Sequence, residues 1–302
     1  MKIEKSKKTQ FIVLLAAMFS AVMIIFPQVT EMGSKTAIML WINSIVPVML
    51  PFFIFSEFIK KTGDLRRLPS GIYPFAVAFL SGYPMGAKVV GDFIKENKIT
   101  VNKGISILSY SLVTGPAFIL FTVGNFIGDQ KAALVIALSH YAGALINGII
   151  FRSDETKTLK AFRGNAYYSR DYLENFTESI VCGFKAMAMI LAYLMFFTIG
   201  ITLLEYWGVF SGLKNQWLES LVKGIFEMTI GINSIGLCDI NIKFKSIAAS
   251  FLVSFGGMSV IGQSVSMTGG TGIGLLDILK IKMLHGILAA IITVILMNLM
   301  VI

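Results

Sequence analysis

Long apolar runs separated by short polar segments recur along the whole chain. In the first half they cover residues 11–29, 37–58, 72–90, 105–126 and 132–151. Runs of about 20 apolar residues are long enough to cross a bilayer as helices, whereas membrane β-barrels show short alternating segments. The pattern therefore predicts an all-α polytopic membrane protein.

Composition and charge support the same class. Of the 302 residues, 55% are hydrophobic and 14% are charged, and the mean hydropathy is +0.77, whereas soluble domains carry about 25% charged residues. The net charge of +9 comes from basic residues that cluster in short loops, where they act as orientation signals. The lipid bilayer is therefore the expected partner, and nucleic acid is not. Cys182 and Cys238 are expected to be two buried thiols rather than part of a disulfide framework.

The basic loops predict the topology of the chain. The amino-terminal segment MKIEKSKKTQ, the stretch KKTGDLRR (60–67) and the polar loop 152–172 are basic, and basic loops prefer the cytoplasm. Three apolar segments lie between the second and third of these loops. An odd number of full crossings would place the two loops on opposite faces, so one segment is predicted to be re-entrant.

The second half of the chain repeats the order of segments found in the first half. A shift that places His140 on His285 also places Gly86 on Gly231. The same order of segment types on this register predicts an inverted-topology repeat, a plan common among secondary transporters. The predicted divisions are a basic tail with the first transmembrane helix (1–33), repeat 1 (34–151), a cytoplasmic loop (152–175) and repeat 2 (176–302).

The stretch SGYPMG interrupts an apolar segment with residues that break helices. Gly82, Tyr83, Pro84 and Gly86 lie in it. Proline removes a donor and kinks a helix, while glycine permits tight turns, and non-helical backbone in a membrane survives only inside protein or along a wet cavity. The stretch is predicted to be the tip of a re-entrant hairpin that meets a polar ligand. The alternative is a proline kink in an ordinary spanning helix.

Two further glycine-rich stretches, TGPAF (114–118) and FGGMSVIGQS (255–264), are predicted to form a matching pair. They offer hydrogen-bonding side chains and flexible backbone at mid-membrane, and small residues there equally suit close helix packing. The candidate ligand-binding residues are Thr114, Gly115, Pro116, Gly256, Gly257 and Gln263, with Ser259 and Ser264 beside them.

Charged and titratable residues inside apolar segments are few. Glu227 lies in KGIFEMTIGINSIG together with Asn233, and a carboxylate inside a membrane points to function. Glu227 is a candidate for binding a hydroxyl, an amine, a cation or a proton. The alternatives place it near the membrane interface or pair it with Lys223. His140 and His285 are candidates for a proton or polar relay, or for hydrogen bonds in helix packing.

These stretches carry a resemblance to a known family. FLSGYPMGAK, ILSYSLVTGPAFILFTVG, GIFEMTIGI, SFGGMSVIGQ and KMLHGILAA together resemble the YlbJ family of sporulation integral membrane proteins, within the nucleoside-recognition (Gate) domain membrane proteins. The resemblance implies a role in making or maturing the spore, with formation of the spore cortex as one such role. It also implies a fold like the core of concentrative nucleoside transporters, with inverted repeats and re-entrant hairpins.

The expected function is recognition or translocation of a small polar molecule, such as a nucleoside or an envelope precursor. The alternative is a scaffold that assembles spore-envelope proteins without transport. No nucleophile–base pair, HExxH motif or metal-ligand spacing is found in the sequence, so no enzyme activity, cofactor or metal is predicted.

Overall fold

The computed structural model describes residues 2–62, 69, 71–83, 85–153 and 171–299, and side chains from residue 10 onward. The described residues form helices and connecting turns, without strands, so the predicted all-α class is confirmed. The helices are α1 (Lys2–Ile25), α2 (Pro27–Leu40), α3 (Val46–Thr62), α4 (Ile72–Ser81), α5 (Met85–Lys95), α6 (Val101–Ser111), α7 (Gly124–Ile127), α8 (Gln130–Ile150), α9 (Tyr172–Tyr206), α10 (Gln216–Phe226), α11 (Met228–Leu237), α12 (Ile242–Phe255), α13 (Gly257–Met267) and α14 (Leu275–Leu299).

Five helical stretches among the described residues are long and apolar enough to cross a membrane. They are 27–62, 130–150, 172–206, 242–267 and 275–299. The first of these joins α2 to α3 through a π-helical segment, Trp41–Ile45. Exposed large apolar side chains cover the outer faces of these helices, which suits contact with lipid rather than water. The structure thus supports a polytopic integral membrane protein.

The boundaries at the two ends of the first repeat differ from the predicted ones. The first helix stops at Ile25, and α2 begins at Pro27, because proline suits the first position of a helix. The division at 33/34 therefore falls inside α2. At the other boundary, α9 begins at Tyr172 rather than near 176, because the Asp171 carboxylate caps it by accepting a hydrogen bond from the Leu173 N–H (2.9 Å). The middle of the predicted cytoplasmic loop (154–170) and most of the basic stretch 60–67 lie outside the described residues.

Contacts between distant residues define the two ends of the molecule. At the Pro27 end, the ring of Phe26 lies 5.7 Å from that of Trp207. At the Thr62 end, Lys61 pairs with Glu178, and Gly91 packs directly against the Met267 carbonyl.

Two pairs of short helices turn back on themselves. The rings of Tyr73 in α4 and Phe93 in α5 stack at 6.2 Å, so both arms of this hairpin reach the Thr62 end. The second pair, α10 and α11, is closed by a contact of 3.6 Å between Ser220 Oγ and Cys238 Sγ. The chain therefore doubles back at SGYPMG instead of continuing as one kinked helix. Entry of these hairpins into a membrane remains a prediction.

Equivalent helices of the two halves keep nearly the same register. The shift that superposes the two histidines in sequence also places Gln130, the first residue of α8, on Leu275, the first residue of α14. It places Ile72, which begins the first arm of one hairpin, next to Gln216, which begins the first arm of the other. The carboxyl ends of α6 and α12 nearly coincide in the same way. This spacing agrees with the predicted repeat, whose inverted orientation in a membrane stays a prediction.

Candidate functional site

Each hairpin turn packs against a broken helix. Gly82 ends α4 with φ +69°, and a Cβ placed on it would lie 3.1 Å from the Gly115 nitrogen. Gly257 has φ +68°, and a Cβ on it would lie 3.0 Å from both the Gly224 oxygen and the Met228 nitrogen. Glycine is therefore needed at both positions for its backbone conformation and for its lack of a side chain. The three interruptions predicted from sequence and the turn at Glu227 thus meet in two pairs.

A small cavity lies where these interruptions meet. This central cavity has a volume of about 40 Å³, room for a few water molecules. It contains the predicted residues Tyr83, Thr114, Glu227 and Gln263, together with Ser259. Its lining is Ile45, Met49, Tyr83, Thr114, Phe118, Ile190, Leu194, Glu227, Met228, Thr229, Ser259, Val260 and Gln263.

Glu227 supplies the carboxylate of the central cavity. It lies at the turn between α10 and α11, is 3% exposed, and caps α11. One carboxylate oxygen accepts from the Ile230 N–H (2.8 Å), and the other accepts from the Thr229 hydroxyl (3.2 Å). The positive end of the α11 dipole favours a negative charge here. These two donors thus hold the Glu227 side chain in place. No basic side chain among the described residues forms an ion pair with it.

The alternative pairing of Glu227 with Lys223 does not occur. Lys223 instead forms ion pairs with Glu205 of α9 and with Glu219 one turn earlier in α10, the latter at 2.6 Å. These contacts fasten the α10–α11 hairpin to α9 on its outer side. Glu227 remains directed toward the interior.

Lys282 is a buried basic side chain that is absent from the residues predicted from sequence. It lies in α14 with no exposed surface, and its Nζ donates to the Tyr83 hydroxyl oxygen (2.7 Å) and to the Leu112 carbonyl (2.9 Å). The Tyr83 hydroxyl in turn donates to the Val253 carbonyl (2.7 Å). The available signal was a lysine three positions before His285 in an apolar run, since charges inside a membrane point to function.

The two histidines bind backbone and side-chain groups beside the breaks. His140 Nε2 accepts from the Thr114 N–H (3.1 Å), so His140 Nδ1 donates to Ser254 Oγ (2.8 Å). His285 Nε2 donates to the His140 carbonyl (2.8 Å), and the two rings lie 4.7 Å apart. These bonds hold the end of α6 and the end of α12 against α8 and α14. Hydrogen bonding in helix packing, the alternative role predicted for the histidines, accounts for all three of these bonds. The proton or polar relay remains a prediction.

The remaining predicted residues fall into three groups. Gly86, Gly115 and Gly256 shape the backbone around the interruptions, with Pro116 following the break after α6. Asn233 is separate and lines a different cavity. Pro84 lies outside the described residues.

Two larger cavities flank the central one. The upper cavity is an open groove toward the Pro27 end with a volume of about 720 Å³, and it is lined by Gln28, Glu31, Met32, Lys35, Thr36, Met39, Leu40, Asn43, Ser44, Ile230 and Asn233. The lower cavity, toward the Thr62 end, measures about 190 Å³ and is lined by Phe53, Glu57, Met85, Lys88, Cys182, Gly183, Lys185, Ala186, Met189 and Met267. Along the helix 27–62, the three cavities follow one another in the order upper, central, lower.

Gly257→Ala is expected to lower the free energy of unfolding by about 2–4 kcal/mol, because it combines a positive φ with a clash against the backbone of the α10–α11 turn. Thermal unfolding in detergent measures the effect. Gly270→Ala is the matched control, since Gly270 has φ +79° and no atom within 4 Å of an added Cβ. Only the conformational cost of about 1–2 kcal/mol applies there. Equal losses in the two variants would contradict the close packing at Gly257.

Comparison with known proteins identifies a relative. The chain is 24% identical to the sporulation integral membrane protein YlbJ of Bacillus subtilis (strain 168), over 320 aligned positions that cover 90% of this chain and 78% of the relative. This match confirms the resemblance to the YlbJ family. No family model matches the chain, and no solved structure does so. The Gate-domain relation and the likeness to nucleoside transporters remain predictions for this chain.

Proposed function

We propose that this YlbJ-family chain is an integral membrane protein of spore formation that recognises and translocates a small polar molecule. The homologue's name supports the sporulation part. One structural observation supports the rest: four helix interruptions converge on a small buried cavity that contains the Glu227 carboxylate and lies between two larger cavities. Transporters commonly place substrate sites at discontinuous helices near the midplane.

The size and the side chains of the central cavity determine which solutes can bind and how far the hairpins must move. Sites for drug-sized ligands measure about 300–1,000 Å³, so a nucleoside or an envelope precursor enters only when the hairpins move apart. The carboxylate of Glu227 favours solutes with hydroxyl, amino or other donor groups. The side chains of Gln263, Ser259 and Thr114 supply further hydrogen bonds. The narrow cavity corresponds to a closed state between two open ones.

The proposed orientation follows the basic loops. The amino terminus and the Thr62 end face the cytoplasm, so the lower cavity opens inward and the upper cavity opens outward. In this proposal the chain binds and moves its solute unchanged and needs no catalytic group or cofactor.

The proposal is tested by thermal stability of the detergent-purified chain against nucleosides, bases, amino acids and peptidoglycan precursors. A ligand at 100 times its Kd raises the free energy of unfolding by about 2.7 kcal/mol. A compound that stabilises the chain and enters vesicles containing it, but not protein-free vesicles, is the expected result. Binding without uptake into vesicles would overturn translocation and leave recognition.

A scaffold role is the second candidate, and the small volume of the central cavity favours it. A scaffold needs no solute pathway. In that case no compound of the panel stabilises the chain, and a bulky Ser259→Phe substitution in the central cavity leaves spore formation intact if the chain folds. Loss of spore formation in a folded Ser259→Phe variant would speak against the scaffold role.

A further inference from the structure

Lys282 connects three elements that have no sequence proximity. Its Nζ binds Tyr83 at the turn of the first hairpin and Leu112 at the break after α6. Through the Tyr83 hydroxyl it is linked to Val253 in the last turn of α12. A Cβ on Gly256, at the α12 break, would lie 3.4 Å from Lys282 Cε. The lysine thus lies where one hairpin turn and two broken helices come together.

The groups around the ammonium are those that bind a small cation. The ends of α6 and α12 that meet there are carboxyl-terminal ends, which carry partial negative charge. Backbone carbonyls and half-helix carboxyl ends are the groups that coordinate monovalent cations in proteins with broken membrane helices. The Tyr83 ring adds an aromatic face, since Lys282 Nζ lies 4.3 Å from its centroid. Two oxygen atoms and a π face therefore lie next to the Lys282 nitrogen.

Two buried hydroxyl groups belong to the ends of the same helices. Ser81 and Ser111 are the last residues of α4 and α6, and their Oγ atoms have no hydrogen-bond partner among the described residues. They lie two residues and one residue from Tyr83 and Leu112, respectively. A buried unpaired hydroxyl normally has a ligand or water to satisfy it.

Lys282 itself has no acidic partner to explain its burial. Within the part of the chain that the structure describes, no carboxylate forms an ion pair with it. A buried ammonium without hydrogen bonds or opposite charge is costly. Its compensation comes from the carbonyl of Leu112, the hydroxyl of Tyr83 and the helix ends.

We propose that the ends of α4, α6 and α12 form a site for a small monovalent cation, and that Lys282, in its ammonium form, is a tethered cation that occupies this site. The lysine then performs the stabilising task that a bound sodium or potassium ion performs at a free site of this kind. The hairpin turn at Tyr83 is held without any dissociable ion. This inference does not rest on the proposed function, because it applies equally to a scaffold.

The test measures the melting temperature of purified protein in NaCl, KCl, NH₄Cl and choline chloride at equal ionic strength. Wild type is expected to melt at the same temperature in all four salts. Lys282→Ala is expected to melt about 5 °C or more lower in choline and to recover at least about half of that loss in one of the small cations, by mass action. Lys280→Ala, at an exposed lysine of the same helix, is the control and is expected to follow wild type.

Three results would overturn the inference. The first is a wild-type protein whose melting temperature is higher in NaCl or KCl than in choline chloride. Another is a Lys282→Ala protein whose lost stability no small cation restores. The third is a Lys282→Met variant that is as stable as wild type. Methionine has a side chain of similar length but carries no charge. A solute screen that fails while this test succeeds would reject only the proposed function.

Discussion

Glu227→Gln is expected to abolish most ligand-dependent stabilisation and solute uptake while leaving the fold intact. Hydrogen bonds to a charged group contribute about 1.5–3 kcal/mol, which corresponds to a loss of about 10- to 150-fold in affinity. The amide oxygen of glutamine still accepts from the Ile230 N–H that Glu227 now binds. The cap of α11 therefore persists, and the melting temperature without ligand changes little. The measurements are the apparent Kd from thermal shifts and the initial rate of uptake into vesicles.

The control for this prediction is Glu219→Gln in the same hairpin. Glu219 pairs with Lys223 on the outer side of α10, away from the central cavity, and surface ion pairs contribute about 0–1 kcal/mol. Its ligand response is expected to equal that of wild type. Unchanged binding in Glu227→Gln would exclude the carboxylate from recognition. Equal losses in both variants would point instead to a general disturbance of the α10–α11 hairpin.

Gly86→Ala is expected to cause the largest loss of stability among the predicted site residues. A Cβ on Gly86 would lie 2.3 Å from the Ser111 carbonyl oxygen and 3.1 Å from Ala78 Cβ. Both neighbours belong to packed helices, so the first hairpin has to separate from the end of α6. Overpacking of this kind costs about 3 kcal/mol or more. Thermal unfolding in detergent is the measurement, and separation of the hairpin also lowers the yield of folded protein.

Gly200→Ala provides the comparison for Gly86→Ala. Gly200 lies within α9, and a Cβ there meets no atom within 4 Å. Alanine is favoured over glycine in a helix interior by about 0.5–1 kcal/mol, so this variant is expected to match or exceed wild type. A Gly86→Ala protein that melts together with Gly200→Ala would show that the contact with Ser111 is not tight.

The class of the protein and the places where its helices break were predictable from sequence. Hydropathy reports transfer of whole segments into lipid, so the runs of apolar residues mark the helices without knowledge of their partners. Glycine and proline act on the backbone at their own positions, which is why SGYPMG and FGGMSVIGQS coincide with turns at Gly82 and Gly256. Glu227 was also a candidate from sequence, because a carboxylate in an apolar run is conspicuous by itself, and it lines the central cavity.

The helix boundaries were predicted less well. The expected first helix, 11–29, is divided at Phe26, and α9 begins four residues before the predicted second repeat. Capping and proline placement decide such ends locally, and a hydropathy window averages over them. Because the basic loops 60–67 and 152–172 were expected on the same side, one of the three apolar segments between them was predicted to turn back. The α4–α5 hairpin is the segment that doubles back.

Sequence patterns along one helix predict that it is apolar, that it breaks at glycine and that a lone charge lies within it. They do not predict which breaks meet. The pairing of Gly82 with Gly115, the central cavity and the bonds of Lys282 to Tyr83 and Leu112 all join residues far apart in the chain. Their energies depend on distances of about 3 Å between separate helices, which only the packing of the whole bundle sets. For that reason Lys282 looked like an isolated basic residue in the sequence and is a junction of three elements in the fold.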